Sequence, residues 1–342
     1  MKHKYDLHDM YGSIHGIPQQ ISHALTDKQF DQLRSIDSSI NNIIIVGMGS
    51  SLIAFKLLQS LYENKICVPT AIVNNERLPI WADQHALVIL SSYSGNSIET
   101  LSCAAAAIKQ KCNIVGITTG GKLFDLIKNN SHFIYRMVPN LYNPCKQARM
   151  AVGFSFGSYI KILQKLRLIY ITEKDIATMV KLIQKLDIKT IERKAKKYSK
   201  KMANKYLQII SGGYLSGNAE LLTKQLNWNA KQYAALSLVP EAMHHICESI
   251  LHPRGKKDTL FVLLSSSFLG NTDSQDLAII KEYLIKMRTS VLEIKVSGAS
   301  FKGVTTTLIL TSFMSFHLAI AYDQNPTPTP AIDFYKRHYE NS

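Results

Sequence analysis

Paired cysteines are missing from this 342-residue sequence. Its five cysteines form no CxxC pair, and no histidine stands at a zinc-ligand spacing from them. The sequence therefore supports neither a disulfide framework nor a metal site. Reduced and mostly buried thiols are the simpler interpretation, because free cysteine is among the most buried residue types.

Long apolar runs are also missing. Stretches such as residues 261–264 are far shorter than the roughly 20 residues that cross a bilayer, so no transmembrane helix is expected. The start, MKHKYDLHDMYGS, is basic, but Asp6, His8 and Asp9 interrupt the apolar region that a secretory signal needs. These absences predict a cytoplasmic protein with no membrane partner.

Acidic residues are scarce relative to basic ones. The chain carries 40 Lys and Arg against 25 Asp and Glu, which gives a net charge of +15. Such a charge suits either nucleic acid or small anionic metabolites. The densest basic stretch lies on a predicted helix, is best interpreted as a solvated face, and comprises Lys194, Lys196, Lys197, Lys200 and Lys201.

A strand, a turn and a helix follow one another repeatedly along the chain. Residues 42–46 form a β-branched run that ends at Gly47, and a helical pattern follows from residue 51. The alternation continues to residue 138 and resumes after residue 206. Apolar strands alternating with helices predict an α/β protein with two doubly wound domains, each a mainly parallel sheet between helices in three αβα layers.

The domain boundaries are expected where strands are missing. Residues 1–155 are predicted to form an N-terminal domain, residues 156–205 a helical connector, and residues 206–342 a C-terminal domain. The chain ends in NPTPTPAIDFYKRH, a proline-rich loop that leads into a short basic helix. No internal repeat is visible, so the two domains would share architecture only.

The first strand is followed by the turn GMGSSLIA. Gly47 and Gly49 allow a tight backbone turn, while Ser50 and Ser51 place hydroxyls and amide donors where a helix begins. A helix N-terminus favours an anion. The third glycine of the dinucleotide-binding fingerprint is absent from this turn.

The next strand runs into SYSGNSIET, residues 92–100. Three hydroxyls and a glycine precede a helix and can surround a phosphate with neutral donors. Ser97 alone could be an ordinary helix N-cap, but capping would not call for Ser92 and Ser94 as well. From these residues alone, a phosphate site and an ordinary turn both remain open.

Both turns carry a family resemblance. SYSGNSIET resembles the SYSGNTEET signature of sugar isomerase (SIS) domains, and GMGSSLIA is similar to the GMGGSAIA of bifunctional phosphoglucose/phosphomannose isomerases. The resemblance implies tandem SIS domains and a phosphosugar ligand. By position, the phosphate-binding residues would be Gly49, Ser50, Ser51, Ser92, Ser94 and Ser97, with Ser97 in place of threonine and Ser50 in place of glycine.

The resemblance extends beyond the turns. Arg149 in ARMAVGF matches the arginine of a P-R-x-x-x-G motif, although Ala148 replaces the proline. NPTPTPAIDFYK resembles DPTPVEAIDYLK, which implies that Lys336 is the catalytic lysine and that Thr329 lies beside the sugar. Without the resemblance, Arg149 would be interpreted as a surface ion-pairing residue and Lys336 as a surface charge.

The resemblance breaks at the catalytic base. The family motif N-E-N-A-K, followed by P-E-x-x-H-N-E, contains the base as its first glutamate and the ring-opening group as its histidine. This chain reads NWNAKQYAALSLVPEAMHHICES, which places Trp228 at the base and His244 at the histidine. An indole nitrogen only donates hydrogen bonds, so Trp228 cannot accept the proton.

Two other carboxylates are near in sequence. Glu220 precedes Trp228 by about 12 Å of helix at 1.5 Å per residue, and Glu241 lies one turn before His244. The family also has a glutamate at position 241 and does not use it as the base. Once the base is missing, packing at an interface remains an equal alternative for His244 and His245.

Two functions remain open. The first is aldose-ketose interconversion of glucose 6-phosphate or mannose 6-phosphate with fructose 6-phosphate through an enediol, without metal, nucleotide or other cofactor. The second is a catalytically inactive phosphosugar-binding or regulatory protein, which Trp228 favours. The resemblance implies a homodimer. A DNA-binding regulator is disfavoured because only some 40 residues precede the first strand and no base-reading motif is evident, so no nucleic-acid partner is expected.

Overall fold

The structure is a computed structural model that describes residues 4–33, 39–130, 132–250, 252, 258–298 and 300–340. Contacts between Cα atoms divide the chain into two compact units. Gly16–Lys185 form one, which we call the N-unit; Met1–His15 and Leu186–Ser342 form the other, which we call the C-unit.

The described part of the chain alternates strands with helices. The strands are β1 (Asn42–Gly47), β2 (Thr70–Val73), β3 (Ala86–Ser91), β4 (Asn113–Thr118), β5 (Phe133–Arg136), β6 (Tyr206–Ser211), β7 (Ala234–Leu238), β8 (Thr259–Ser266) and β9 (Ser290–Val296). The helices are α1 (Met10–His15), α2 (Ile17–Thr26), α3 (Ser50–Tyr62), α4 (Ile98–Lys109), α5 (Gly121–Asn129), α6 (Val152–Lys165), α7 (Glu173–Gln184), α8 (Ile188–Met202), α9 (Ser216–Asn229), α10 (Ile246–Ser249), α11 (Asn271–Lys286), α12 (Ser300–Ala321) and α13 (Pro330–Glu340).

The N-unit is built on a parallel sheet with the strand order β2-β1-β3-β4-β5. Its central strand β3 is buried along its whole length, as expected of a strand covered on both faces. The order reverses at β1 and β3, so the turns after these two strands open at the same carboxyl edge. Ligands of doubly wound sheets bind at such a switch point.

The C-unit holds a second parallel sheet with the order β7-β6-β8-β9. Helix α9 packs against β6 and β7, and α11 packs against β8 and β9. Parallel strands flanked by helices in both units confirm the predicted α/β class. The edge strands β2 and β7 were absent from the sequence prediction.

Helix α12 is the main element that the sequence pattern did not reveal. It spans 22 residues, and an 18-residue window within it has a mean hydropathy of 1.6, so by length and composition the helix could cross a membrane. However, 83% of its apolar window is buried inside the protein, where α12 packs on α8 and α9. This burial is that of a core helix.

The contacts group residues differently from the expected boundaries at 155 and 205. Helix α6 packs on α2 and α3, and α7 packs on α2, so both belong to the N-unit. Helix α8 packs on α12 in the C-unit. The predicted connector is thus divided between the units. Its helices bury apolar residues, which the sequence pattern did not reveal because polar residues are interspersed with them.

The lysine-rich stretch lies on α8. Its five lysines are exposed, whereas Ile191 and Ala195 on the opposite face are buried. This arrangement confirms the interpretation as a solvated face.

Candidate phosphate-binding turns and catalytic residues

The turn after β1 brings its serines to the start of α3. Gly49 has φ 54°, and α3 has no side-chain cap at this end. Ser51 is buried, and its carbonyl accepts a hydrogen bond of 3.2 Å from the Tyr159 hydroxyl on α6. A Cβ on Gly47 would lie 2.8 Å from the Ser91 carbonyl oxygen, so only glycine lets this turn approach the end of β3.

The SYSGNSIET turn after β3 gathers two of its hydroxyls. The Ser92 and Ser97 Oγ atoms lie 3.0 Å apart, and Ser92 Oγ also accepts a hydrogen bond of 3.2 Å from the Gly95 amide. Ser94 is exposed, and its Oγ accepts a hydrogen bond from the Asn96 amide. The turn therefore brings Ser92 and Ser97 together and leaves the Ser94 side chain facing solvent.

Ser97 does not act as a capping side chain. It occupies the N-cap position of α4, yet its hydroxyl makes no capping hydrogen bond to the first turn of the helix. Capping was the ordinary explanation for this residue, and the structure removes it. Helices α3 and α4 thus both begin without a side-chain cap, and uncapped helix starts offer amide donors and a positive dipole end to an anion.

A neighbouring turn that the sequence reasoning missed holds SYSGNSIET in place. The Tyr93 carbonyl accepts hydrogen bonds from the amide and the hydroxyl of Thr119, and the Gly95 carbonyl accepts one from the Leu123 amide. Gly95 has φ 70°, and a Cβ there would overlap the Gly120 carbonyl. The glycine pair after β4 was the sequence signal that could have revealed this neighbouring turn.

Arg149 is connected to the same turn. It lies on a short 3₁₀ helix, Ala148–Met150, is buried at 8% exposure, and donates from Nη1 to Gln147 Oε1 at 2.9 Å. Asn143 Nδ2 donates both to the Gln147 carbonyl at 3.0 Å and to the Tyr93 hydroxyl at 3.3 Å. The alternative of a surface residue is wrong, because the side chain is buried in the N-unit.

Tyr93 is a structural member of this turn. Burial raises the pKa of Tyr93 to about 12. The phenol therefore stays protonated at neutral pH, where it can accept the hydrogen bond from Asn143 but cannot act as a base.

The C-unit also has turns after its parallel strands, and different side chains occupy them. Ser266, at the end of β8, is buried like Ser92, and its Oγ accepts hydrogen bonds from the Phe268 amide and the Tyr214 hydroxyl at 3.2 and 2.7 Å. After β6, a Cβ on Gly213 would lie only 2.6 Å from Asp273 Oδ2. The carboxylate of Asp273 therefore lies directly against the glycine turn, where it takes up space that an anion would need.

The residues matched to the family's catalytic groups lie on separate C-unit elements. Trp228 is half-buried on α9, His244 is exposed at the end of a 3₁₀ helix (Glu241–His244), and Lys336 is exposed on α13. Thr329 is half-buried just before α13, and its carbonyl accepts the Asp333 amide at 3.0 Å. Among the described residues, no hydrogen bond joins Trp228, His244 and Lys336 to one another.

The two carboxylates considered as a substitute base already have partners. Glu241 Oε2 lies 2.9 Å from Nε2 of His245, not of His244. Glu220 Oε1 forms an ion pair of 2.8 Å with Lys224 one turn along α9. Neither carboxylate is therefore poised as the missing base.

Cysteines and metal ligands do not form a site in the described part of the chain. The thiols of Cys103, Cys112 and Cys145 are buried, as expected, while Cys67 is exposed. No cluster of three or more His, Cys, Asp or Glu side chains there could hold a metal ion.

Sequence comparisons identify relatives over nearly the full length. The family model for the bacterial phospho-glucose isomerase C-terminal SIS domain matches residues 191–338. A bifunctional phosphoglucose/phosphomannose isomerase from Caldicellulosiruptor bescii is 29% identical over 341 residues, covering 96% of this chain and 98% of the relative. The chain is thus similar to bifunctional phosphoglucose/phosphomannose isomerases over nearly its full length. A further member, from Aquifex aeolicus, is 27% identical and covers 86% of this chain and 89% of the relative.

Solved structures share the fold. Tagatose-6-phosphate ketose/aldose isomerase from Escherichia coli superposes with a TM-score of 0.73 at 15% identity, covering 94% of this chain and 95% of that one. The C-terminal domain of glucosamine-fructose-6-phosphate aminotransferase from Francisella tularensis gives 0.69 at 16% identity, covering 95% and 99%. These likenesses show that the fold is shared over nearly the whole chain.

Proposed function

We propose that this chain is a phosphosugar isomerase-like protein that binds a hexose 6-phosphate. The pairing of the Ser92 and Ser97 hydroxyls at an uncapped helix start is the observation that carries the proposal. A phosphate monoester would accept hydrogen bonds from these hydroxyls, from Ser51 and Ser94, and from the backbone of Gly49 and Ser50. Charge-assisted hydrogen bonds of this kind are about twice as strong as neutral ones.

The reaction is the interconversion of glucose 6-phosphate or mannose 6-phosphate with fructose 6-phosphate through an enediol. His244 would open the ring, Lys336 would act at the ring oxygen, and the Arg149 guanidinium would stabilise the developing enediolate. Thr329 would lie beside C2, where a small hydroxyl side chain tolerates both epimers. The conversion moves a proton within one molecule and is redox-neutral overall, so it requires no redox cofactor.

Trp228 limits this chemistry. A base must carry the proton between C1 and C2, and general acid-base catalysis contributes typically 10²- to 10⁴-fold to a rate. With an indole at that position, we infer an isomerase slowed by a factor of this order. The second candidate, a phosphosugar-binding or regulatory protein without activity, is favoured by this residue.

Two measurements separate the candidates. An isomerase will exchange the C2 proton of glucose 6-phosphate with deuterium from solvent, which proton NMR detects at high protein concentration. Both candidates predict that fructose 6-phosphate raises the melting temperature, because a ligand that binds the folded state stabilises it by mass action. Fructose without the phosphate should not raise the melting temperature. A thermal shift without exchange leaves the binding protein, and the absence of both excludes both functions.

Assembly and location belong to the same proposal. We propose a cytoplasmic homodimer that acts on a small molecule, without a nucleic-acid or membrane partner. Light scattering coupled to size exclusion should give twice the chain mass of 38.4 kDa. A mass of one chain would reject the dimer.

A further inference from the structure

Helix α13 carries the proposed catalytic lysine but has little burial of its own. Residues 330–338 are all exposed, including the large side chains of Phe334 and Tyr335. Apolar burial is the main force that fixes a surface helix on its protein. The loop that enters α13 must therefore determine where Lys336 is presented within the C-unit.

One lysine holds that loop. Lys231 Nζ donates to the carbonyl oxygens of Asn325 at 3.0 Å and Pro326 at 3.3 Å, and to that of Asn229 at 3.2 Å. A lysine ammonium has three donors, and three carbonyls take them. Lys231 thereby connects the end of α9 to the loop before α13.

Both sides of this contact are anchored in the C-unit. Asn229 is fully buried on α9, and its Nδ2 donates to Ser315 Oγ on the core helix α12 at 3.0 Å. On the loop side, Thr327 is buried, and its amide donates to Asn325 Oδ1 at 3.1 Å. The loop start is also tied, because the Tyr322 hydroxyl donates to Gln232 Oε1 at 2.6 Å.

We propose that Lys231 is a positioning residue for the sugar end of the site. Its ammonium fixes residues 325–326, and through them Thr329 and α13, against the same helix end that carries Trp228. Lys231 lies three residues after Trp228. The end of α9 therefore positions both the base position and the loop that leads to Lys336. This inference rests on the proposed function, which assigns Lys336 and Thr329 to the sugar.

The clamp can be tested without any ligand. Lys231→Met keeps the side-chain length and removes all three donors. In hydrogen-deuterium exchange of the full chain, we expect the amides of Thr327 and Asp333 to exchange about tenfold faster, because loss of a hydrogen bond to a charged group favours local opening. Lys231→Arg should restore slow exchange. Unchanged exchange in Lys231→Met would overturn the clamp.

Lys111→Met provides a matched control. Lys111 also follows a helix end in the left-handed region, with φ 58° against 53° for Lys231, and its side chain is exposed. Its replacement should leave exchange in residues 325–338 unchanged. Equal acceleration in both variants would mean that loss of any lysine loosens the loop, which also overturns the clamp.

A ligand comparison tests the positioning role. Lys231→Met should bind fructose 6-phosphate about tenfold more weakly and inorganic phosphate unchanged, because phosphate alone needs only the N-unit turns. Faster exchange with unaltered sugar-phosphate affinity would overturn the positioning role while leaving the proposed function intact. If the unmodified protein binds no phosphosugar, the proposed function fails, and the positioning role fails with it, whatever the exchange data show.

Discussion

The serine turn of the N-unit and the glycine turn of the C-unit each lie at the carboxyl edge of a parallel sheet, but they contain different side chains. Each follows the carboxyl end of a parallel strand and leads towards a helix. In the N-unit, Ser92 and Ser97 bond to one another and leave the start of α4 uncapped. In the C-unit, the Asp273 carboxylate lies against Gly213. A carboxylate at this position disfavours an anion at the glycine turn, because like charges repel.

The same contrast extends to the chemistry of the two units. The N-unit keeps hydroxyls and a buried arginine around its turns. The C-unit carries the residues matched to ring opening and proton transfer, but Trp228 stands at the base position and Glu241 and Glu220 are paired with His245 and Lys224. The proposed phosphate-binding residues and the proposed proton-transfer position thus lie in different units, and mutations can address each one alone.

The largest effect is expected from giving the C-unit a base. Trp228→Glu should raise the rate of C2 deuterium exchange in glucose 6-phosphate by about 100-fold or more, because a carboxylate accepts a proton and an indole does not. Proton NMR measures the exchange directly. Trp228→Gln has nearly the same shape without the base and should show no gain. Equal rates in the two variants would contradict the assignment of this position.

Removing one hydroxyl from each unit tests where the phosphate binds. Ser92→Ala should weaken fructose 6-phosphate binding by about 10- to 100-fold, since a hydrogen bond to a charged group contributes roughly 1.5–3 kcal/mol. Ser266→Ala removes the equivalent buried hydroxyl of the C-unit and should leave the affinity unchanged. Calorimetric titration of both variants with fructose 6-phosphate measures the two affinities. A loss of affinity only in Ser266→Ala would assign the phosphate to the C-unit.

Removing the Asp273 carboxylate should make the glycine turn of the C-unit more similar to the serine turn of the N-unit in its affinity for phosphate. Asp273→Ala is expected to lose about 1 kcal/mol of unfolding free energy, because an acidic side chain in the first turn of α11 stabilises the helix. Added phosphate should recover more stability in this variant than in the unmodified protein, as measured by thermal unfolding. Asp276→Ala, on the same helix, serves as the control. If phosphate affects both variants alike, Asp273 does not close the turn.

The smallest effect concerns alkaline pH. Burial raises the pKa of Tyr93 from 10.0 to about 12, so above pH 10 the unfolded chain releases this proton and the folded protein keeps it. The unfolding free energy contributed by Tyr93 is therefore full below pH 10 and falls as pH rises towards 12. Tyr93→Phe should lose less stability over this interval in urea titrations. A slope identical to that of the unmodified protein would show that Tyr93 is not protected in the folded state.

Strands with continuous apolar runs were predictable, and elements with mixed composition were not. The run predicted as a strand over residues 42–46 is apolar enough for a sheet covered on both faces, and it matches β1 to within a residue. Helix α12 interrupts its apolar residues with threonines and serines, and Thr305, Thr307, Ser312 and Ser315 satisfy their hydroxyls within the helix or against α9. Such hydroxyls look like surface residues until their partners are known.

The candidate site also contains features that the sequence predicts and features that it does not. The hydroxyl pattern of SYSGNSIET alone left an anion site and an ordinary turn both open, and the family resemblance favoured the anion site. No sequence pattern predicted that Arg149 is buried. Asp273 likewise carries no sequence signal for closing a turn some 60 residues earlier. The assignments of His244, Lys336 and Thr329 to the sugar stay predictions.

By itself, the sequence determined two parallel sheets, the family resemblance, and the identity of the side chains at the turns, because strand burial and turn chemistry act over a few neighbouring residues. The tertiary structure alone decided that Asp273 lies against the glycine turn after β6 and how α6, α7 and α8 divide between the two units. These outcomes depend on distances between residues far apart in the chain, and no local pattern encodes such distances.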